Sequence, residues 1–529
     1  MEARQIPTEE AEIRMHLARN LVLGEIFART ARKYPQRQAV VSEEGAFTYR
    51  KLDERVNRLA AAWMDLGVTR GDRVAVLMQN SVRAIESYYA AHKCGAVVVP
   101  VNIRLSPKEV KYILEHSEAR VLVYDKTFEE PVRALREERT GIERWIVAGG
   151  AGRDDVLEYE ELLRAGRPGE PLVPVCDDDV CYIAYTAGTT GRPKGAMITH
   201  KNAAMTAMIS VANFRIGPED RYFVAPPLFH VAGFGAVNIC FQVGATVLLK
   251  RSFDVREILR FMASEKATLA VLVPVMWSLI LKDPELSRFD LRSLRLGLSG
   301  GAVLPIEIKR KVREVFPNCA GIVDIFGQTE AAPTCALFPE EDRRKPGSVG
   351  RPLPHIEVRV VGEDGREVKT AEVGEIQYRG PTTFLGYYKD EDRTREAFAD
   401  GWFRSGDLVR MDEEGFVYVV DRKNDTIVTG GENVHPAEVE RVLCGHPKIL
   451  EAAVVGIPHD KWGEAVHAFI VCEPGETLSL EELVAYCRPH LAGYKIPRSF
   501  DIVPELPRNA AGKVLRRELR RKYGSPIRY

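Results

Sequence analysis

Residues 180–195 read VCYIAYTAGTTGRPKG. The β-branched and aromatic run up to Tyr185 has the composition of a strand. The stretch from Thr186 to Gly195 has the composition of a phosphate cradle. Gly188 and Gly191 let the backbone turn and aim N–H groups at an anion. Thr186, Thr189 and Thr190 add hydroxyl donors, and Lys194 adds a charge. The commonest nucleotide loop, Gly-x4-Gly-Lys followed by Ser or Thr, does not fit. Gly195 follows Lys194, so the metal-binding hydroxyl of that loop is missing. The bland alternative is a Gly/Thr-rich hairpin turn on the surface.

The same texture surrounds the cradle on both sides. DRVAVLM, AVVVPVN and ARVLVYD precede it, and TVLLK, ATLAVLVP and LRLGLSGG come after it. These are short apolar runs without polar alternation. Helical patterns such as LDERVNRLAAAWMDLG, ending at Gly67, and VRAIESYYAAHKCG, ending at Gly95, lie between them. Strands of that kind separated by helices predict a parallel sheet covered on both faces. Between Gly347 and Tyr418 the runs shorten, alternate and carry more Gly and Asp, which predicts a β-rich unit with hairpins. After residues 421–425 the texture becomes a compact alternation of helices and strands. A boundary is therefore expected at Asn424, giving domains of residues 1–423 and 424–529.

A chain of 529 residues exceeds what one core serves. Its net charge of −1 gives no field to attract nucleic acid. The nine cysteines are scattered without a C-x-x-C pair and read as buried thiols in a reducing, cytoplasmic setting. The N-terminal residues lack an apolar signal core. Residues 229–249, FHVAGFGAVNICFQVGATVLL, approach the length of a membrane span. They carry His230, Asn238, Gln242 and internal glycines, so a buried helix followed by a strand is the better reading. The basic tail, KVLRRELRRKYGSPIRY, reads as a solvated helix face. Docking onto phosphates or lipid, and so peripheral membrane contact, is the alternative.

Five stretches occur in one order: YTAGTTGRPKG, FGQTE (326–330), RSGDL (404–408), DRKNDTIVTGGENVHPAEVE (421–440) and PRNAAGKVLRREL (507–519). The set resembles the signatures of the adenylate-forming superfamily: acyl- and aryl-CoA synthetases, peptide adenylation domains and luciferases. PLFHVAG, LSGGAVLP, GGENVHPAEVE and KWGE bring it nearest to fatty-acyl-CoA synthetases. The resemblance implies an α/β fold. A large N-terminal domain of stacked α/β sheets carries a β-barrel-like subdomain, and a small mobile α+β C-terminal domain completes it. It also implies a two-step ligation using ATP, Mg2+ and coenzyme A. A carboxylic acid attacks the α-phosphate, pyrophosphate leaves, and the CoA thiol then displaces AMP.

Residue roles come from the motifs the resemblance matches. Lys513 bridges the attacking carboxylate and the α-phosphate, where two anions meet and positive charge must be waiting. Glu330 and Thr186 hold Mg2+; the plainer reading of Glu330 is a cap on a following helix. Asp407 accepts the ribose hydroxyls, and Arg422 contacts ribose or phosphate. Phe326 stands where the family has tyrosine and keeps the stacking face; Gly327 and Thr329 lie in the same motif. Asp324 accepts from the adenine amine, and Gly300, Gly301 and Ala302 present backbone to the base. His230, Val231, Phe234 and Met276 are expected around the acyl group, His230 at its carboxylate end. Gly430 and Gly431 line a pantetheine tunnel that a side chain would block. Trp462, Tyr494, Lys495 and Arg498 meet the CoA nucleotide.

Two positions depart from the pattern. Asn424 stands at the hinge where Asp or Lys is usual, and Ala187 removes one hydroxyl from the cradle. The leading expectation is a fatty-acyl-CoA ligase, monomeric or homodimeric. The alternatives are an aryl-CoA ligase, an adenylating enzyme that loads a carrier protein, and a non-catalytic nucleotide- or acyl-binding relative. Retention of Lys513, Glu330, Thr186, Asp407 and both tunnel glycines argues against the last.

Overall fold

The computed structural model describes residues 9–138, 140–153, 155–186, 193–301, 304–422, 425–429, 432–459, 461–508 and 514–522. The chain divides into two compact units. The first comprises Met1–Glu340, Leu353–Ile356 and Arg379–Phe398; the second comprises Glu341–Pro352, Glu357–Tyr378 and Ala399–Tyr529. The boundary expected at 423/424 lies within the second unit.

The first unit is built on two sheets. One is eight-stranded, in the order Gly386–Tyr387, Lys194–Thr199, Val180–Thr186, Val97–Pro100, Arg73–Leu77, Ala119–Asp125, Arg144–Ala148 and Val156–Glu158. Its six strands from Val180–Thr186 onward pair in parallel. The cradle strands close its other edge in antiparallel fashion. The second sheet runs Ala332–Leu337, Ile322–Gln328, Leu296–Gly300, Leu269–Val271, Arg221–Val224, Thr246–Leu249, Gln38–Ser42 and Gly45–Thr48. It too is parallel through its centre. The apolar runs read from sequence therefore form the strands, and burial of both faces explains why they lack alternation.

Helix ends obey local chemistry. Thr48 caps Tyr49–Asp65 and Ser81 caps Val82–Cys94, each side chain accepting a backbone N–H of the first turn. Val82–Cys94 stops at Gly95, whose φ of 74° is left-handed. The apolar stretch after Phe229 becomes a 13-residue helix, Val231–Val243, ended by Gly244, and then the strand Thr246–Leu249. That helix is about 20 Å long, short of the ~30 Å a bilayer requires. Among the described residues no helix is long and apolar enough to cross a membrane. Six of the nine cysteines are buried, and burial pushes thiols such as Cys94 and Cys335 up to about 12.

In the second unit, Gly374–Arg379, Trp402–Met411 and Val417–Arg422 form consecutive antiparallel pairs, the sheet that stands where the barrel-like subdomain was expected. Beyond it, Ile449–His459 and Gly463–Cys472 form a long antiparallel hairpin, joined by Ile427–Thr429 and, in parallel, by Ser499–Ile502. The helices Pro436–Leu443 and Leu480–Cys487 bury Val439, Leu443, Leu483 and Cys487 against its apolar face.

Candidate active site

The cradle is the hairpin between Val180–Thr186 and Lys194–Thr199, with Thr186 opposite Lys194 at its mouth. Ala187, Gly188, Thr189, Thr190 and Gly191 lie outside the described residues. Both stems are tied down. His116 Nδ1 lies 2.8 Å from the Tyr185 hydroxyl, Tyr112 donates to the Pro193 carbonyl at 3.3 Å, and the Tyr388 N–H donates to the Gly195 carbonyl at 2.8 Å.

Glu330 sits at this mouth. It occupies the turn between the antiparallel strands Ile322–Gln328 and Ala332–Leu337, so no helix begins at it and the helix-cap reading falls. Gly327 makes the turn possible, because a Cβ there would stand 2.0 Å from the Ala332 carbonyl oxygen. The Glu330 carbonyl accepts from the Phe384 N–H at 2.8 Å, which clamps the turn to residues 382–387. Its carboxylate is buried, and Oε1 accepts from the Tyr387 hydroxyl at 3.0 Å and the Thr186 hydroxyl at 3.4 Å. Lys194 Nζ stands 4.9 Å from the centre of the Tyr387 ring. Burial, and then the charge of Arg393, lowers the Lys194 ammonium. Burial, and then Glu330, raises the Tyr387 hydroxyl above its ordinary range, so it stays a donor at neutral pH.

Among the described residues no cluster of three or more His, Cys, Asp or Glu forms a metal cage. One buried carboxylate beside hydroxyls is instead the donor set that suits Mg2+, which takes few protein ligands and keeps waters and phosphate oxygens.

Asp324 and Phe326 share one face of the neighbouring strand, two residues apart. Phe326 is partly exposed, whereas Asp324 is 5% exposed and its carboxylate lies 3.0 Å from Lys309 Nζ. Asp324 pairs in register with Ser299 and Ile325 with Gly300, where a Cβ would stand 2.8 Å from the Ile325 carbonyl oxygen. Gly301 has a left-handed φ of 81° and open space beside it, and Thr329 is partly buried. Ala302 lies outside the described residues.

His230 caps the helix Val231–Val243, its Nδ1 accepting from the Ala232 N–H at 3.3 Å. Burial pushes it down to about 4, so it is a neutral imidazole at pH 7. Phe234 is 2% exposed and stacks on Tyr182 of the cradle strand at 4.1 Å between centroids. Val231 is partly buried. Met276, in the helix Pro274–Lys282, packs on the apolar cluster that contains Trp277.

Asp407 belongs to the second unit, buried on Trp402–Met411 and opposite Arg422 in register. Its turn is pinned: the Gly406 N–H donates to Glu375 and the Asp407 N–H to Ser405 Oγ, each at 3.0 Å. The Arg498 guanidinium lies 3.5 Å from the Trp462 ring centre, and His459 stacks on the same indole at 4.3 Å. Tyr494 is exposed. Lys495 is already engaged, donating to both carboxylate oxygens of Glu438 at 2.7 and 2.8 Å. Within the basic tail, Arg516 pairs with Glu440 at 2.7 Å and Arg520 with Asp425 at 3.2 Å, the contacts of a face folded onto its own domain. Asn424, Gly430, Gly431 and Lys513 lie outside the described residues.

Residues 27–388 match the AMP-binding enzyme family, and residues 438–513 match the AMP-binding enzyme C-terminal domain. The chain belongs to the AMP-binding enzyme family. A feruloyl-CoA synthase of Amycolatopsis is 38% identical, over 96% of this chain and all of that relative. A long-chain-fatty-acid–CoA ligase of Mycobacterium tuberculosis is 34% identical, over 96% of this chain and 99% of the relative. The crystal structure of an anthranilate CoA ligase in complex with anthranoyl-AMP superposes with a TM-score of 0.89. It is 29% identical, covering 96% of this chain and 97% of that one.

Three residues of this AMP-binding enzyme escaped sequence reasoning. Tyr387 reaches Glu330 across 57 positions, and only the paired consecutive aromatics of GYY hinted at it. Lys309 had a legible signal: it falls on the buried stripe of Ile306–Val315, in phase with Val312. Glu438 gave none, being one acid among several in HPAEVE.

Proposed function

We propose that this chain is an ATP-dependent acid–CoA ligase that works through an acyl-adenylate. The observation that carries the reading is the convergence of Thr186, Lys194, Glu330 and Tyr387 at the mouth of the cradle, within a chain of the AMP-binding enzyme family. Hydroxyls and a lysine face a single carboxylate, an arrangement that suits a metal-bound polyphosphate. In this reading Thr186 and Glu330 hold Mg2+, with Tyr387 fixing the carboxylate's direction. Bound there, the ion neutralises phosphate charge. Lys194 and the loop 187–192 guide the β- and γ-phosphates out as pyrophosphate.

The remaining roles are assigned by motif. Asp407 and Arg422 take the ribose, Phe326 stacks on the base, and Asp324 accepts from the adenine amine. Lys513 stabilises charge at the α-phosphorus as the carboxylate oxygen bonds to it. His230, neutral at working pH, stands at the carboxylate end of the acyl group without adding a competing charge. The CoA thiol then attacks the adenylate carbonyl and AMP leaves. Gly430 and Gly431 give the pantetheine its path after the domain from residue 424 swings about Asn424. Trp462 and Arg498 offer a stacked cationic surface to the CoA nucleotide, whereas Lys495 must first leave Glu438 to contribute.

For the acid, the PLFHVAG and GGENVHPAEVE motifs favour a fatty acid. A second reading, an aryl acid, is favoured by the higher identity to the feruloyl-CoA synthase and by the fit to the anthranilate CoA ligase. A pyrophosphate-release panel of alkanoic, cinnamic and benzoic acids, with and without CoA, tests both. CoA-dependent turnover with one class identifies the acid. Adenylation that CoA does not discharge points to a carrier protein, and silence with every acid refutes ligase activity.

A further inference from the structure

The Lys309–Asp324 pair buries two opposite charges 3.0 Å apart, which is a costly feature. Lys309 is 1% exposed and Asp324 5%, on a helix stripe and a strand whose other buried residues are apolar. An ion pair sealed from water is seldom more stable than an apolar pair of the same size, because both charges lose their hydration. A function is the better reason for it. We propose that Lys309 is a positioning and specificity residue for the nucleotide base: it holds Asp324 as an acceptor-only carboxylate, which selects an amino-purine over an oxo-purine. The proposal rests on the reading of Asp324 as acceptor for the adenine amine.

The chemistry turns on hydrogen-bond polarity. An ionised carboxylate only accepts, whereas a carboxylic acid or an amide also donates. A carboxylate buried to this degree without a cation takes up a proton, and its new hydroxyl can donate to the C6 carbonyl of hypoxanthine or guanine. The Lys309 ammonium, 3.0 Å from Asp324, removes that option and directs the carboxylate from the strand that also carries Phe326. ATP presents an amine to this acceptor. ITP presents a carbonyl, lone pair against lone pair. A site built in this way around one substrate hydrogen bond rejects the mismatched analogue by about 10²-fold or more.

The test compares kcat/KM for ATP and ITP, by pyrophosphate release with one turned-over acid, alongside melting temperatures. Wild type is expected to prefer ATP by about 10²-fold or more. Lys309→Met is expected to shrink that ratio about tenfold or more, chiefly through KM for ATP, and Lys309→Arg to retain it. Lys309→Met also takes the Lys309 cation away from a buried carboxylate, so the double variant K309M/D324N is measured with it. It leaves no buried charge, and its amide, able to accept or donate, is expected to lose the preference in a folded protein. Equal losses with both nucleotides in Lys309→Met, or a wild-type ratio in the double variant, would reduce the pair to a structural clamp and overturn the proposal. A wild-type enzyme that releases pyrophosphate equally from ATP and ITP would overturn the base reading of Asp324 while leaving the ligase reading intact.

Discussion

Replacing Tyr387 with Phe removes one hydroxyl, and with it the shorter of the two side-chain hydrogen bonds to Glu330 Oε1. The carboxylate keeps Thr186 at 3.4 Å, close to the limit of a hydrogen bond, in place of Tyr387 at 3.0 Å. Both Glu330 and Tyr387 are 8% exposed, so water does not readily replace the lost donor. A hydrogen bond to a charged acceptor contributes about 1.5–3 kcal/mol, which corresponds to about 10- to 100-fold. If the bond orients the carboxylate toward a metal–triphosphate, that loss appears in kcat/KM for ATP. It also appears as a higher Mg2+ concentration for half-maximal pyrophosphate release. The aromatic body remains, so Lys194 keeps its neighbour and the strand Gly386–Tyr387 keeps its pairing. The assay is pyrophosphate release titrated with MgCl2 at saturating acid, alongside a thermal melt. An unchanged Mg2+ dependence in a variant that melts normally would refute the orientation of Glu330 by Tyr387.

Other perturbations separate the two chemical steps and the fold. Lys513→Ala is expected to abolish adenylation, by about 10²-fold or more, while a supplied acyl-adenylate is still converted to thioester; equal loss of both steps would remove the domain swing. Gly431→Leu is expected to show the reverse selectivity, and thioester formation at the wild-type rate would remove the tunnel. Burial lowers His200 to about 4 from an ordinary 6.5. The unfolded chain therefore takes up a proton between pH 6.5 and 4 that the folded chain refuses, and stability falls as pH drops through that window. The full difference is about 3 kcal/mol below pH 4. Urea midpoints at pH 7 and 4.5 should differ less in His200→Asn than in wild type, and an identical difference would place the acid sensitivity elsewhere. Ala187→Ser restores a hydroxyl to the cradle and is expected to lower KM for ATP, which steady-state kinetics would show directly.

The parallel sheets were legible because apolar runs such as AVVVPVN and ARVLVYD are strands buried on both faces, and that burial is written locally. Helix ends were legible for the same reason, as at Gly95. Thr186 was brought to Glu330 by the motifs although 144 positions separate them, but Tyr387 was not, since it lies 57 positions away with no motif linking it to Glu330. The helix cap, the plainer alternative for Glu330, fails because Gly327 and the left-handed Ala332 build a strand turn there. Lys495 illustrates the same limit: a basic residue near a tyrosine reads as a phosphate contact, yet Glu438 already satisfies it. Phe234 reads as a pocket wall, but Tyr182, on a distant strand, covers its face.

The two-step route through an acyl-adenylate is tested most directly by following oxygen. An acid labelled with 18O in its carboxylate is turned over with ATP and CoA, and the nucleotide product is analysed by mass spectrometry. Attack of the carboxylate on the α-phosphorus transfers one labelled oxygen to AMP for each thioester formed. Unlabelled AMP, or label appearing in inorganic phosphate beside ADP, would contradict that route.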